Sequence, residues 1–149
     1  MMKIAIGSDH AGFSAKNEIA AYLKAKGHEV TDFGTFSAQS CDYPDFGCKV
    51  AKAVAGGDYE RGVVICSTGV GISIAANKVK GIRCALCTDE FTAEMTRRHN
   101  DSNVLAMGAN VTPIEKMKKI ADIYFSTDFE GGRHARRVGK ITMIENGEL

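Results

Sequence analysis

Five short runs of apolar residues, separated by longer stretches with helical spacing, divide the chain from one end to the other. Lys3–Gly7, Arg61–Cys66, Arg83–Cys87 and Asn103–Gly108 are nearly unbroken, and His28–Phe33 alternates, so each reads as a strand. Between them, Ala11–Lys26 is expected to be a helix with Ala15, Ile19, Tyr22 and Leu23 on its buried face, stopped by Gly27. Phe46, Val50, Ala53 and Val54 mark a second helix, ended by Gly56-Gly57. A glycine-rich turn, Ser67–Ser73, opens a small-residue helix through Ile74, Ala75 and Ala76, and Asp89–His99 forms the next. Thr112-Pro113-Ile114-Glu115 has the form of a capping box with proline at the first helical position. The buried stripe that follows is Ile114, Met117, Ala121 and Tyr124, and a last helix is expected from Arg133 toward Glu145. Strands that alternate with helices return through crossovers, which forces a parallel sheet, and unbroken apolar strands imply burial on both faces. The expected fold is α/β: a single three-layer α/β/α, doubly wound, Rossmann-like domain over residues 1–149 with a five-stranded parallel sheet. The longest irregular stretch, Gly34–Pro44, carries Asp42-Tyr43-Pro44 and reads as a loop over a site.

A formal net charge of +1 implies no basic face for nucleic acid as the main partner. Positive charge is instead gathered locally, at Arg97-Arg98 and along Arg133-His134-Ala135-Arg136-Arg137, a distribution that suits a small anion. No apolar run approaches the roughly 18–20 residues needed to span a bilayer. The first strand pattern begins at Lys3, leaving no room for a signal peptide, and five cysteines are an odd number for a disulfide framework. A cytoplasmic chain with free thiols and no membrane partner is expected. Cys84 and Cys87 have the spacing of half a zinc or redox motif. In a strand, residues three apart face opposite sides, and no second ligand pair follows, so both read as buried core. No His, Asp and Glu cluster shows ligand spacing, so neither a metal nor a cofactor is expected.

In open parallel sheets, ligands bind outside the carboxyl ends of the strands. After the first strand comes Ser8-Asp9-His10-Ala11-Gly12, and after the third comes Cys66 to Ser73. The helix after the fourth strand ends in His99-Asn100-Asp101, and the three sets are expected to converge on one edge. Gly69-Val70-Gly71, entering a helix, offers unpaired N–H groups and a dipole end for a phosphate or an oxyanion. The dinucleotide fingerprint fails because Ile74 stands at its third glycine, and no Gly-Lys-Ser/Thr follows for a P-loop. A cysteine phosphatase fails too, because Ile72 stands where its arginine belongs. Cys66 is either a plain buried cysteine at a strand end or a thiol made usable as a base by the helix N-terminus beside it. Thr68 is placed to assist it. His99, at a helix end, is either a dipole partner or a functional group, whereas His10 beside Asp9 has the surroundings of a ligand-binding or acid–base residue. His28 reads as structural. Arg133 and Arg137, one turn apart after Gly131-Gly132, form either a phosphate site or a solvated basic face.

With these residues in hand, the sequence resembles the type B ribose-5-phosphate isomerases and the related galactose- and allose-6-phosphate isomerases. The motifs that carry the resemblance, in order along nearly the whole chain, begin with Gly7-Ser8-Asp9-His10-Ala11-Gly12 and Asp42-Tyr43-Pro44-Asp45. Ile65 to Lys78, Arg98-His99-Asn100-Asp101 and Glu130-Gly131-Gly132-Arg133-His134 complete the set. The resemblance implies an aldose–ketose isomerase of the pentose phosphate pathway, interconverting ribose 5-phosphate and ribulose 5-phosphate. Cys66 resembles the base that moves a proton between carbons 1 and 2 through an enediolate; other members use a glutamate elsewhere. Thr68 would assist, His99 would open the furanose ring, and Asp9 would lie near the ring oxygens. The oxyanion would sit on Ser67, Thr68, Gly69, Val70 and Gly71. His10, Arg133 and Arg137 resemble the phosphate- and sugar-binding set, with Tyr43, Asn100 and Asn110 at further substrate positions. The resemblance further implies a homodimer or homotetramer, with His99 and Asn100 supplied by the neighbouring subunit, no cofactor, and the helix over 133–146 packed on a partner.

Two positions depart from the family pattern: Ser67, where many members carry glycine, and Asn110, where many carry arginine. The first keeps the backbone N–H, whereas the second removes a guanidinium and leaves the preferred sugar open. A six-carbon sugar-phosphate isomerase and a non-catalytic sugar-phosphate-binding module are therefore the rival readings.

Overall fold

The computed structural model describes residues 1–149 and contains five parallel strands and six helices. In chain order they are β1 (Lys3–Ser8), α1 (Phe13–Ala25), β2 (Glu29–Asp32), α2 (Tyr43–Ala55), β3 (Arg61–Cys66) and α3 (Val70–Asn77). There follow β4 (Cys84–Leu86), α4 (Glu90–Asn100), β5 (Val104–Gly108), α5 (Ile114–Ser126) and α6 (Arg133–Glu145). The strand order is β2-β1-β3-β5-β4, and every neighbouring pair is parallel. The α/β expectation therefore holds. The chain reverses its direction of travel across the sheet between β1 and β3, the place where an open sheet leaves a crevice.

Alternation along the strands sorts the core into two clusters. Ile4, Ile6, Val63, Ile65, Leu105 and Met107 face α1 and α5. Ala5, Val64, Cys66, Val104 and Ala106 face α2 and α3. The second set is smaller, so α2 and α3 lie closer to the sheet: a Cβ on Gly62 would meet Val50 at 2.7 Å, and one on Gly7 would meet it at 2.8 Å. Cys84 packs on the α2/α3 side and Cys87 is buried on the other, as strand parity requires. All five thiols are free.

Differences from expectation lie mostly at element ends. The fourth strand is only Cys84–Leu86, and α2 begins at Tyr43, inside the stretch expected to be irregular. Asp89 sits outside α4 as its cap, accepting the Thr92 N–H at 2.7 Å. The capping box at Thr112 does not form. Pro113 occupies the cap with extended dihedrals, and the buried Thr112 Oγ1 has no partner. Proline cannot take a cap bond on nitrogen, and its ring shifts the helix start one residue onward.

Lys16 was not visible as a core residue, yet it is fully buried. Its Nζ donates to Asp32 Oδ2 and to the Thr35 carbonyl, both at 2.6 Å, and lies 5.2 Å from the Phe13 and Phe36 ring centres. It fastens α1 to the segment leaving β2, on the same edge as Asp9. The helix α6 is the outlier. It rests on α4, and His134 is its single buried residue.

Gly12 needs space rather than a special backbone: its φ is −93°, but a Cβ there would sit 2.6 Å from the Ile65 carbonyl oxygen. Gly12→Ala should cost about 1–3 kcal/mol in urea unfolding; an unchanged midpoint would show that α1 can move away from β3. His28 accepts the Met2 N–H through Nδ1 at 3.1 Å and packs on Phe125. Burial, the N-terminal charge and Arg61 hold this imidazole below its ordinary 6.5. Burial, followed by His99, shifts His134 the same way. As pH falls below about 6.5 the unfolded chain takes up these protons first, so stability held at neutral pH declines from there downward. Unfolding curves across that range should show the decline, with a shallower slope in His28→Gln.

Candidate active site

The carboxyl ends of β1, β3 and β5 meet in one place because their registers pair Ser8 with Ile65 and Cys66 with Gly108. Cys66, 4% exposed, ends β3. Its Sγ accepts the Gly69 N–H at 3.2 Å, a donor that an anionic sulfur holds more strongly than a neutral one. Gly69 makes this turn possible. Its φ is +80°, and a Cβ would strike Leu86 at 2.5 Å and the Met107 backbone at 2.8 Å. Thr68 points its hydroxyl at the Val70 N–H, 3.2 Å away, from an exposed position. Val70 begins α3, so the segment Ser67–Gly71 presents a helix N-terminus beside the sulfur.

Around this turn, Asp9 is buried, receives the Gly12 N–H at Oδ1 (3.1 Å), and donates its own N–H to the Ile65 carbonyl. His10 is exposed, and its Nδ1 accepts the Cys41 N–H at 3.1 Å. In the neutral ring that bond leaves the proton on Nε2, which is then a donor. Tyr43 lies against Gly71, where a Cβ would meet the ring at 2.7 Å. Asn110 donates its side-chain amide to Ser67 Oγ at 2.8 Å and its backbone N–H to the Ser67 carbonyl at 2.9 Å. The two positions that depart from the family pattern thus touch each other at the mouth of the turn.

His99, Asn100, Arg133 and Arg137 lie elsewhere, which corrects the expected convergence of all three sets on one edge. The helix α4 starts at the carboxyl end of β4 and runs back, so its last residues lie at the amino ends of the strands. There Arg83, just before β4, donates to the Asn100 carbonyl at 3.0 Å, and the Asn103 N–H, just before β5, reaches the Arg83 carbonyl. A strand of five residues separates the two edges by about 13 Å or more. The start of α6 joins this lower edge. His134 stacks on His99 with centroids 4.1 Å apart and planes at 10°, and Glu130 pairs with Arg98 at 2.9 Å. Arg133 and Arg137 are exposed there.

The structure therefore brings Asp9, His10, Tyr43, Cys66, Ser67, Thr68, Gly69, Val70, Gly71 and Asn110 together, and holds the other four as a separate group. Sequence spacing had shown no metal-like cluster, but His99, Glu130 and His134 put one ligand atom each within 4.8 Å of one another. Thirty positions lie between the first two of these residues, so only packing of α6 on α4 reveals them. The role of Cys41 in orienting His10 was hidden for the same reason, since it acts through its backbone.

Comparisons with known proteins identify the family. A family model described as Ribose/Galactose Isomerase matches residues 4–141. The chain is 52% identical over 145 residues to ribose-5-phosphate isomerase B of Escherichia coli, covering 97% of each. Its structure resembles ribose-5-phosphate isomerase B of Clostridium thermocellum with a TM-score of 0.97 and 56% identity, covering 99% of this chain and 100% of that one. It also resembles the Mycoplasma genitalium ribose-5-phosphate isomerase B with bound ribulose-5-phosphate, with a TM-score of 0.93, 42% identity and coverage of 97% and 96%. A match over nearly all residues, in sequence and in fold alike, means that this chain belongs to the ribose/galactose isomerase family.

Proposed function

We propose that the protein is an aldose–ketose isomerase that interconverts ribose 5-phosphate and ribulose 5-phosphate, with Cys66 as the base. The observation that carries this reading is the Cys66 sulfur, buried at a strand end yet bonded to the Gly69 N–H at the mouth of a helix N-terminus. In the open-chain aldose the thiolate takes the hydrogen from carbon 2, and the bonding pair moves toward the carbonyl to give an enediolate. The thiol then returns the hydrogen to carbon 1 while the hydroxyl proton passes from oxygen 2 to oxygen 1, and the ketose results. General-base transfer supplies about 10²–10⁴ in rate, and each oxyanion donor about 10²–10³. The N–H groups of the Ser67–Gly71 turn that are not already bonded to the Cys66 sulfur or the Thr68 hydroxyl are the oxyanion donors in this reading, with Thr68 beside the sulfur and Asp9 near the ring oxygens.

The remaining groups come from a second copy of the chain. His99, Asn100, Arg133 and Arg137 cannot reach Cys66 within one chain, because the sheet separates them. Apolar residues are exposed beside them on α6, where Ile141 is 46% and Ile144 62% exposed, and on α3, where Ile74 is 56% exposed. A self-complementary pairing of such faces buries them and sets the His99 of one copy over the Cys66 of the other. In that assembly His99 opens the furanose ring, Asn100 contacts the sugar, and His10 with the two arginines holds the phosphate dianion. The assembly is a homodimer, or a homotetramer built from it, in the cytoplasm. Asn110, neutral and tied to Ser67, leaves this phosphate grip to the other three groups, and a six-carbon sugar phosphate remains the alternative substrate.

Cys66→Ala should abolish turnover of ribose 5-phosphate in a coupled assay while calorimetry still detects binding; full turnover would remove Cys66 from the mechanism. His99→Asn should lose far more activity on a cyclic substrate than on an open-chain one, and equal losses would count against ring opening. Mixing and re-annealing these two inactive variants should restore roughly a quarter of the wild-type rate, because each mixed dimer keeps one intact site. No recovery on mixing would mean that each site is built by one chain. Turnover of allose and galactose 6-phosphates in the same assay decides the substrate.

A further inference from the structure

Glu130 and His134 take no part in the reaction described above, yet they complete a donor set with His99. His134 is 5% exposed, and its Nε2 has no hydrogen-bond partner. A buried ring nitrogen left unpaired is costly, and such groups call for an explanation. This one faces Glu130 Oε1 at 3.5 Å, while the other carboxylate oxygen, Oε2, is held by Arg98 Nε at 2.9 Å. The Glu130 N–H also donates to the Arg98 carbonyl at 3.1 Å. The carboxylate is therefore positioned from behind and free in front, as second-shell partners leave a metal ligand. His99 ends α4, where the negative end of the helix dipole favours a cation.

We infer that His99, Glu130 and His134 form an inhibitory site for a divalent zinc-like cation. Two imidazole nitrogens and one carboxylate oxygen are the donors zinc prefers, and three protein ligands leave one position for water. The two rings are nearly parallel and stacked, with centroids 4.1 Å apart. His99 is half-exposed, so it can turn out of the stack to aim a ring nitrogen at an ion held by His134 and Glu130, where zinc requires roughly 2.0–2.1 Å to each nitrogen. Arg133 and Arg137 oppose a cation only through solvent, because both are exposed, and the Arg98 charge is offset by Glu130. The inhibitory half of this inference rests on the proposed role of His99. A ring that coordinates metal cannot also pass protons to a sugar, so the ion and ring opening exclude each other.

The test is titration of the full-length protein with Co²⁺ and Zn²⁺, followed by absorption and calorimetry, without substrate. One ion per chain should bind, with a cobalt spectrum of nitrogen and oxygen ligands, and Glu130→Gln and His134→Gln should each weaken binding by at least about tenfold. Zinc should lower turnover of cyclic ribose 5-phosphate reversibly, with a chelator restoring it, and Glu130→Gln should keep its metal-free turnover while resisting zinc. Thiolate-to-cobalt charge transfer would place the ion on the cysteines and overturn the site, as would affinity unchanged in both variants. Zinc bound at this cluster with no effect on turnover would overturn the inhibition. Because the cobalt spectrum is read without turnover, an active Cys66→Ala enzyme would defeat the proposed mechanism and leave the metal site standing.

Discussion

A parallel sheet has a direction, and the layout of this protein follows from it. Every strand delivers its last residue to one edge, and every crossover helix that follows delivers its own last residue to the other. Cys66, at a strand end, and His99, at a helix end, are therefore on opposite sides of the same sheet, however the loops are drawn. No rearrangement short of unfolding brings them together in one chain. If both serve one reaction, symmetry between two chains is the economical solution, because each copy offers a strand edge and a helix edge to the other.

The same directionality explains what could be read in the sequence. The five strands, their parallel sense and the position of the glycine turn all follow from short apolar runs and the need for crossovers. Arg61–Cys66 matches its expected bounds residue for residue, and Arg133–Glu145 comes within a residue of the expected helix over 133–146. Cys84 and Cys87 were separable by parity alone. Misreadings arose where a local pattern was taken without its surroundings. Thr112 looks like a cap, but Pro113 displaces it. Lys16 was absent from the buried stripe expected of α1, yet the carboxylate of Asp32 and the Thr35 carbonyl draw it inside. Grouping His99 with the strand-end residues repeated that error on a larger scale, because it followed the order of the chain and ignored the direction in which α4 runs.

Three kinds of contact around Cys66 were out of reach for residue patterns, because they use backbone atoms. The Gly69 N–H reaches the sulfur, the Cys41 N–H fixes the ring of His10, and the Asn110 N–H ties the β5–α5 loop to Ser67. None depends on the identity of the side chain at the donor, so substitutions at Cys41 or Asn110 can change without loss of the frame. Electrostatics at this edge come largely from oriented peptide groups, which need no reorganisation as charge develops.

The closeness of α2 and α3 to the sheet has a consequence for how this enzyme family can diverge. Cys66 projects from the crowded face, among Ala5, Val64, Ala106 and Ile72, where side chains are short. A longer, hydrated carboxylate at position 66 would overpack this face unless α2 or α3 moved away from the sheet. If Cys66 is the base, as proposed, a carboxylate doing the same work would have to stand on another element, so exchanging the base would mean moving it.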